Sequence, residues 1–205
     1  MNDNVLGSQF GLPGTDNTAS ATGIIDTHCH LYEPDYDGIR DELIKELPKN
    51  GIEKLICVGC NIKTTKQSIE LAQKYDFIYA QAGFHPCDTS DITDEMWAQM
   101  QELASHPKVV AIGEIGLDYH WDSSPREKQQ YWFTKQIEFA GSVNLPVVIH
   151  SRDATADTLK ILKEHQPECG VFHCFSGSVE TLKEVLKLGL SISLGGVVTF
   201  KNAKN

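Results

Sequence analysis

Val109-Val-Ala-Ile-Gly-Glu-Ile-Gly-Leu-Asp118 is the stretch whose reading decides the fold. Its first half, Val109–Glu114, is a continuous apolar run rather than an alternating one, the pattern of a strand buried on both faces. Inside that run sits a carboxylate, Glu114. A buried glutamate is rare unless it is paired or bound to a metal. No Arg or Lys lies within the strand to pair with it, so a partner would have to come from elsewhere in the fold. Gly113 and Gly116 remove bulk around the carboxylate.

Short apolar runs of the same kind recur at Ile24–His28, Lys54–Val58, Phe77–Ala82, Pro146–His150, Val171–Cys174 and Leu190–Leu194. Helical patterns lie between them. Ile39, Leu43, Ile44 and Leu47 form a stripe of helical period, as do Ile69, Leu71 and Ala72. Ser124-Pro-Arg-Glu127 reads as a helix start with capping-box spacing, followed by an apolar face of Trp132, Phe133, Ile137 and Ala140. Thr158–Leu162 and Val179–Leu188 supply two more helices. The order is therefore β-α repeated over seven strands, the crossover rhythm of a parallel sheet. An open doubly wound sheet and a closed (β/α)₈ barrel both have this rhythm. No G-x-G-x-x-G follows the first strand, which weakens the dinucleotide-binding version. Polar residues stand at the carboxyl ends of strand after strand: His28 and His30, His85, Glu114, His150, His173. Barrel enzymes build their sites this way. The expected fold class is α/β, a TIM-type (β/α)₈ barrel, here incomplete with about seven β/α strands.

His28-Cys-His30 ends the first strand. Residues two apart on a strand share a face, so both imidazoles can grip one divalent ion while Cys29 points away. A pair of surface or core histidines gives the same spacing. His150 and His173 each follow a short strand, and singly each reads equally as a satisfied core histidine. Together, four histidines and one glutamate at strand ends suggest a carboxylate bridging two divalent ions with two imidazoles on each. Such a pair deprotonates water near neutral pH and clamps the oxygens of an in-line displacement. Arg152, two residues past His150, suits a phosphate oxygen, with a salt bridge to Asp153 or Asp157 as the other reading. His85 is assigned to substrate contact rather than to metal, and Asp118 to the site rim or to support of a ligand. His106, His120 and His165 are read as surface residues.

Composition narrows the class. The chain has 205 residues, 40% of them hydrophobic, enough for one domain with a real core. Its net charge of −10 excludes coating of nucleic acid or anionic membrane by bulk charge. Arg40 is the first basic residue, so a secretory or transit signal is not expected, and no run approaches a membrane span. Six cysteines, Cys29, Cys57, Cys60, Cys87, Cys169 and Cys174, read as free, mostly buried thiols in a reducing cytosol. Cys57 and Cys60 have C-x-x-C spacing, but no second pair completes a zinc ribbon.

The chain resembles the TatD family of metal-dependent deoxyribonucleases, within the amidohydrolase-like barrels. The likeness runs from about Ile24 to the last residue. It rests on Ile25-Asp-Thr-His-Cys-His30, Gly83-Phe-His-Pro86, Gly113-Glu-Ile-Gly-Leu-Asp118, Leu145-Pro-Val-Val-Ile-His-Ser-Arg-Asp153, His173-Cys-Phe-Ser-Gly177 and Gly196-Val-Val-Thr-Phe-Lys201. The resemblance implies two divalent metals, Mg, Mn or Zn. It implies His28 and His30 on the first, Glu114 as bridge, and His150 and His173 on the second. It also implies DNA strand ends as substrate; Glu114, His150 and Arg152 are expected to carry catalysis, and His85 and Arg152, on the reading of their positions above, to bind substrate. Residues 1–23 are expected to be a flexible tail, and 24–205 an incomplete barrel ending before the family's eighth strand, whose Asp completes the first metal site. On that reading these 205 residues alone are weakly active or inactive. Cytoplasmic location, no membrane contact and no stable protein partner are expected, with open barrel edges able to self-associate. A related hydrolase of an amide, lactone or phosphotriester and a catalytically silent metal-binding fragment are the alternatives.

Overall fold

The computed structural model of the chain describes residues 23–121, 123–201 and 203. The tail expected at residues 1–23 lies outside them, Gly23 apart. Seven parallel strands form one sheet in chain order: β1 (Ile24–Cys29), β2 (Ile52–Cys57), β3 (Ile78–Ala82), β4 (Val109–Asp118), β5 (Val147–Arg152), β6 (Gly170–Phe172) and β7 (Ser191–Ile192). Between them run α1 (Arg40–Glu46), α2 (Ile62–Lys74), α3 (Asp94–Ala104), α4 (Arg126–Ser142), α5 (Thr155–His165) and α6 (Val179–Lys187). This is the expected TIM-type arrangement with seven strands, and β1 and β7 do not pair with each other among the described residues.

The core lies where strands and helices meet. Leu55, Ile78, Ile112, Ile115, Leu117 and Ile149 from the sheet are fully buried, as are Phe133 and Leu162 from the helices. β4 is the innermost strand, with nine of its ten residues buried. β1 is an edge, and Ile24 and Ile25 are exposed.

Helix α3 has no counterpart in the apolar periodicity, because only Met100 and Ala104 of its residues are buried. Its start is nonetheless written locally: the Thr93 side chain accepts a hydrogen bond from the Met96 N–H, with Asp94 and Glu95 in the first turn. The capping box expected at Ser124 does not form. Helix α4 starts after Pro125, and the Ser124 hydroxyl instead donates to the Cys87 carbonyl (2.9 Å) and accepts from the Thr89 N–H (3.2 Å). The loop after β3 competes successfully for that hydroxyl.

Two irregularities in the sheet aim the chemistry. Along β1, Asp26 is level with Leu55 and Cys29 with Cys57, so three steps in β1 match two in β2. Along β4, Ile112 is level with Val147 and Ile115 with Ile149, again three steps against two. Each mismatch is a one-residue bulge, which re-aims a side chain. They fall at Thr27-His28 and at Gly113-Glu114. The N–H groups at the bulges are satisfied: His28 N donates to Asp26 Oδ1 (3.0 Å) and Glu114 N to the Gly59 carbonyl (3.2 Å).

Gly116 fixes the register beyond the second bulge. Its φ is +142°, and a Cβ there would stand 2.0 Å from the His150 carbonyl oxygen. Gly116→Ala is expected to destabilise the chain by about 1–3 kcal/mol through overpacking and backbone strain. A urea denaturation midpoint equal to wild type would refute this account of the β4–β5 approach.

Candidate metal centre

Glu114 is the hub. It is 4% exposed, and four imidazoles from four strand ends surround its carboxylate. Oε1 lies 2.9 Å from His150 Nδ1, 3.5 Å from His173 Nε2 and 4.0 Å from His85 Nε2. Oε2 lies 3.4 Å from His28 Nε2, and His28 Nε2 lies 3.1 Å from His30 Nε2. The His28 and His173 rings stack at 3.5 Å. Burial opposes the charge on Glu114, but hydrogen bonds from His150 and His28 outweigh it and hold the carboxyl well below the usual range. Burial lowers His30, and it drives His85 and His173 down to about 4, so those two imidazoles are neutral at pH 7.

Asp118, expected at the rim or behind a ligand, lies behind His150 and is 1% exposed. Its Oδ2 lies 2.9 Å from His150 Nε2, while Oδ1 accepts the N–H groups of His120 (2.9 Å) and Trp121 (3.1 Å). Burial would raise its pKa, yet the Trp121 N–H and His150 hydrogen bonds lower it. His150 is thus held between two carboxylates. Burial disfavours its charge, but Glu114 and Asp118 reverse that and raise its pKa.

Three features were not legible in the motifs. Tyr32 Oη lies 2.8 Å from His30 Nδ1 and donates toward Cys60 Sγ at 3.7 Å, so it orients the ring from behind. Arg40 ties down the carbonyls of Leu31, Tyr32 and Glu33, holding the turn that follows His30. Most informative are two buried glutamines on α4, seven residues apart and so on one face. Gln136 accepts the Phe84 N–H (2.7 Å) and donates to the Phe84 carbonyl (3.2 Å), next to His85. Gln129 accepts the Asp118 N–H (2.8 Å) and donates to the Asp118 carbonyl (2.9 Å). One helix therefore latches two loops of the site. Two glutamines at i and i+7 amid the apolar residues of α4 were the available signal.

The other expected residues are placed as follows. Arg152 stands level with Asp118 on the neighbouring strand, its guanidinium 5.3 Å from the centre of the Trp121 ring. The acids considered for it are engaged elsewhere, Asp153 with His120 and Asp157 with Tyr119 and Gln130. His106 contacts Gln73, and His165 lies 3.7 Å from Glu138, both outside the centre. All six cysteines are free thiols, with Cys57 buried and Cys169 exposed.

The donor set fits a divalent ion. Ligand atoms of His28, Glu114 and His173 lie within 4.8 Å of one another, and so do those of His85, Asp118 and His150. His150 and His173, expected to share the second ion, fall in different groups, although both face Oε1 of Glu114. Four ligands about 2.1 Å from a tetrahedral ion stand roughly 3.4 Å apart. The His28–His30, His28–Glu114 and His173–Glu114 separations of 3.1, 3.4 and 3.5 Å suit that. His85 fits less well. Its Nδ1 accepts the Cys87 N–H (3.2 Å), so the neutral ring carries its proton on Nε2, the atom facing Glu114. An apolar groove of about 380 Å³ beside α6, lined by Val179, Leu182, Leu194, Val198 and Phe200, involves none of these residues.

Bulged parallel strands that gather imidazoles and carboxylates at their carboxyl ends define a metal-dependent hydrolase barrel. Comparison with known proteins agrees. The family profile for TatD related DNase matches residues 25–205, and the chain belongs to that family. It is 48% identical over 183 residues to a Bacillus subtilis (strain 168) protein named "Uncharacterized metal-dependent hydrolase YabD", covering 88% of this chain and 72% of that one. It is 33% identical over 177 residues to the "3'-5' ssDNA/RNA exonuclease TatD" of Cronobacter turicensis, covering 85% and 67%. Among solved structures it matches the TatD homologue YjjV of Escherichia coli K12 with a TM-score of 0.82 at 32% identity, covering 88% and 71%.

Gln129→Leu keeps the bulk of α4 but leaves the Asp118 N–H and carbonyl unpaired. A loss of about 1–3 kcal/mol is expected, together with weaker zinc binding. Denaturation and zinc titration check both, and a destabilised variant with wild-type zinc affinity would deny the latch any role in the site.

Proposed function

We propose that the chain hydrolyses phosphodiester bonds of DNA at strand ends, using two divalent ions held around Glu114. The observation that carries this reading is the convergence of four imidazoles on one buried carboxylate, with a second carboxylate behind one of them. The exonuclease name of some relatives supports the substrate class. His28, His30 and Glu114 are proposed to hold one ion, and Glu114, His150 and His173 the other, with Asp118 supporting His150 at its far nitrogen. When bound, the ions supply charge to the phosphate oxygens and lower the pKa of water.

The residues divide the remaining tasks. The Glu114 and Asp118 carboxyls stay ionised, ready to ligate or to take a proton. His85 offers its Nε2–H to a phosphate oxygen, which keeps it a substrate contact. The Arg152 fork takes a second phosphate oxygen. His150, hydrogen-bonded to both carboxylates, passes its proton to solvent as the centre loads. A reducing, cytoplasmic setting belongs to the same reading, supported by six free thiols. No helix among the described residues is long and apolar enough to cross a membrane.

Chelation with EDTA is expected to abolish cleavage of a single-stranded oligonucleotide, and Mn²⁺ or Zn²⁺ to restore it. Glu114→Gln should lower the rate at least about 100-fold, since even residues behind a ligand cost 10–100-fold. Activity indifferent to EDTA, or hydrolysis of amides, lactones or phosphotriesters without any cleavage of DNA, would overturn the proposal. The raised pKa of His150 adds a pH dependence. Below that pKa a proton competes with the ion, so affinity should fall as pH falls, with protons released on binding at that site over the same range. Calorimetric zinc titrations in buffers of different ionisation enthalpy read this directly. Heats independent of the buffer would contradict it.

A further inference from the structure

We infer that Trp121, backed by Arg152, is a stacking platform for the terminal base of a single-stranded substrate. This rests on the nuclease reading and names a subsite within it. Trp121 is 62% exposed, although tryptophan is among the most costly side chains to leave in water. It does not belong to the exposed apolar residues of the β1 edge or of the groove beside α6. It stands instead at the mouth of the centre, three residues past Asp118, and its main-chain N–H donates to Asp118 Oδ1 at 3.1 Å. That bond fixes the backbone from which the ring projects. The ring is fixed from two further directions. The His120 ring meets it edge-on at 5.0 Å, with His120 itself anchored to Asp153. The Arg152 guanidinium covers it at 5.3 Å.

An exposed indole fixed beside a guanidinium is the combination that holds a base and its phosphate together. Arg152 also lines a cleft of about 350 Å³ with Ser151, Asp153, Thr155, Phe175 and Thr181, a largely polar path for the backbone leading from the stacked base, in which the Asp153 carboxylate is already bonded to His120. The occupant that fits is a nucleotide with a free base face at a strand end. A base inside a duplex has its faces already stacked. Every base has a π-face, so the platform sets a preference for unpaired ends and not for sequence.

The test compares wild type, Trp121→Ala and Trp121→Phe on an oligothymidylate and on the same strand with abasic terminal residues. On the intact strand Trp121→Ala should raise KM about 5- to 100-fold with little change in kcat, and Trp121→Phe should recover most of the loss. On the abasic strand the three proteins should be alike. A second reading needs no turnover. A neutral methylphosphonate-linked oligothymidylate should quench the emission of wild type and barely affect Trp121→Phe, whose remaining tryptophans, Trp97 and Trp132, are half-buried and buried. The platform is overturned if wild type cleaves the strand while Trp121→Ala keeps its KM, if the loss is equal on the abasic strand, or if no quenching occurs. Failure of wild type to cleave any strand end overturns the nuclease reading and the platform with it.

Discussion

The structure depends on keeping one charge out of water. An ionised carboxylate in the middle of a buried strand costs several kcal/mol before anything compensates it. Glu114 is compensated chiefly by imidazoles, since the nitrogens facing its oxygens belong to His28, His85, His150 and His173, with the Cys60 thiol 4.0 Å from Oε2. No Arg or Lys takes part in the ion pairs of Glu114 among the described residues. A lysine or arginine partner would make a permanent ion pair, closed to chemistry. Imidazoles at strand ends leave lone pairs that a cation can use. Each comes from a different strand, so the carboxylate is stable only when the sheet has curled far enough to bring β1 and β6 to the same point as β5. Fold and centre are therefore one cooperative unit.

That unit needs its side chains aimed more finely than regular strands allow. The bulges at His28 and Glu114 supply the adjustment, and each is stabilised by a specific acceptor for the displaced N–H, Asp26 in one case and Gly59 in the other. Helix α4 supplies the rest. Its glutamines bond to main chain beside His85 and at Asp118, so packing of one helix on the sheet is converted into position at two points of the site. His150 then connects the two carboxylates directly, through the two nitrogens of its ring. Protonation at one carboxylate is thereby felt at the other.

How much of this the sequence declared depends on the range of the interaction. The seven strands were legible because their apolar runs are continuous, and all five residues assigned to metal do face one centre. Strand ends were the natural place for polar residues that interrupt such runs. The bulges were not legible: a one-residue slip relative to a neighbouring strand is set by pairing, which one strand's own pattern does not contain. Helix α3 escaped because it buries too little to show a stripe, although Thr93 announced its start. Ser124 misled because its hydroxyl had a better acceptor in the loop after β3. Gln129 and Gln136 were passed over as ordinary helix residues, since what they bind is main chain far away in sequence. Asp118 is legible only as a residue of the rim or the support of a ligand, because its partner, the far nitrogen of His150, comes from the neighbouring strand.

The electrostatics of the centre explain how so acidic a chain could engage a polyanion. Without cations the centre holds two ionised carboxylates, Glu114 and Asp118, against one favoured imidazolium, His150, while His85 and His173 are neutral at pH 7. A phosphate entering there meets net negative charge, in a molecule whose overall charge of −10 offers no attraction at long range. Arg152 at the mouth and Arg126, which lies 4.2 Å from the Tyr119 ring, are too few to reverse this alone. Divalent cations would reverse it, and only locally. Affinity for nucleic acid would then be conditional on metal loading and confined to what reaches the mouth of the barrel. Duplex presents its charge along its length, where this surface repels it; a strand end presents one phosphate and one unpaired base. On the proposed function, the same charge distribution that excludes non-specific coating would favour a terminus.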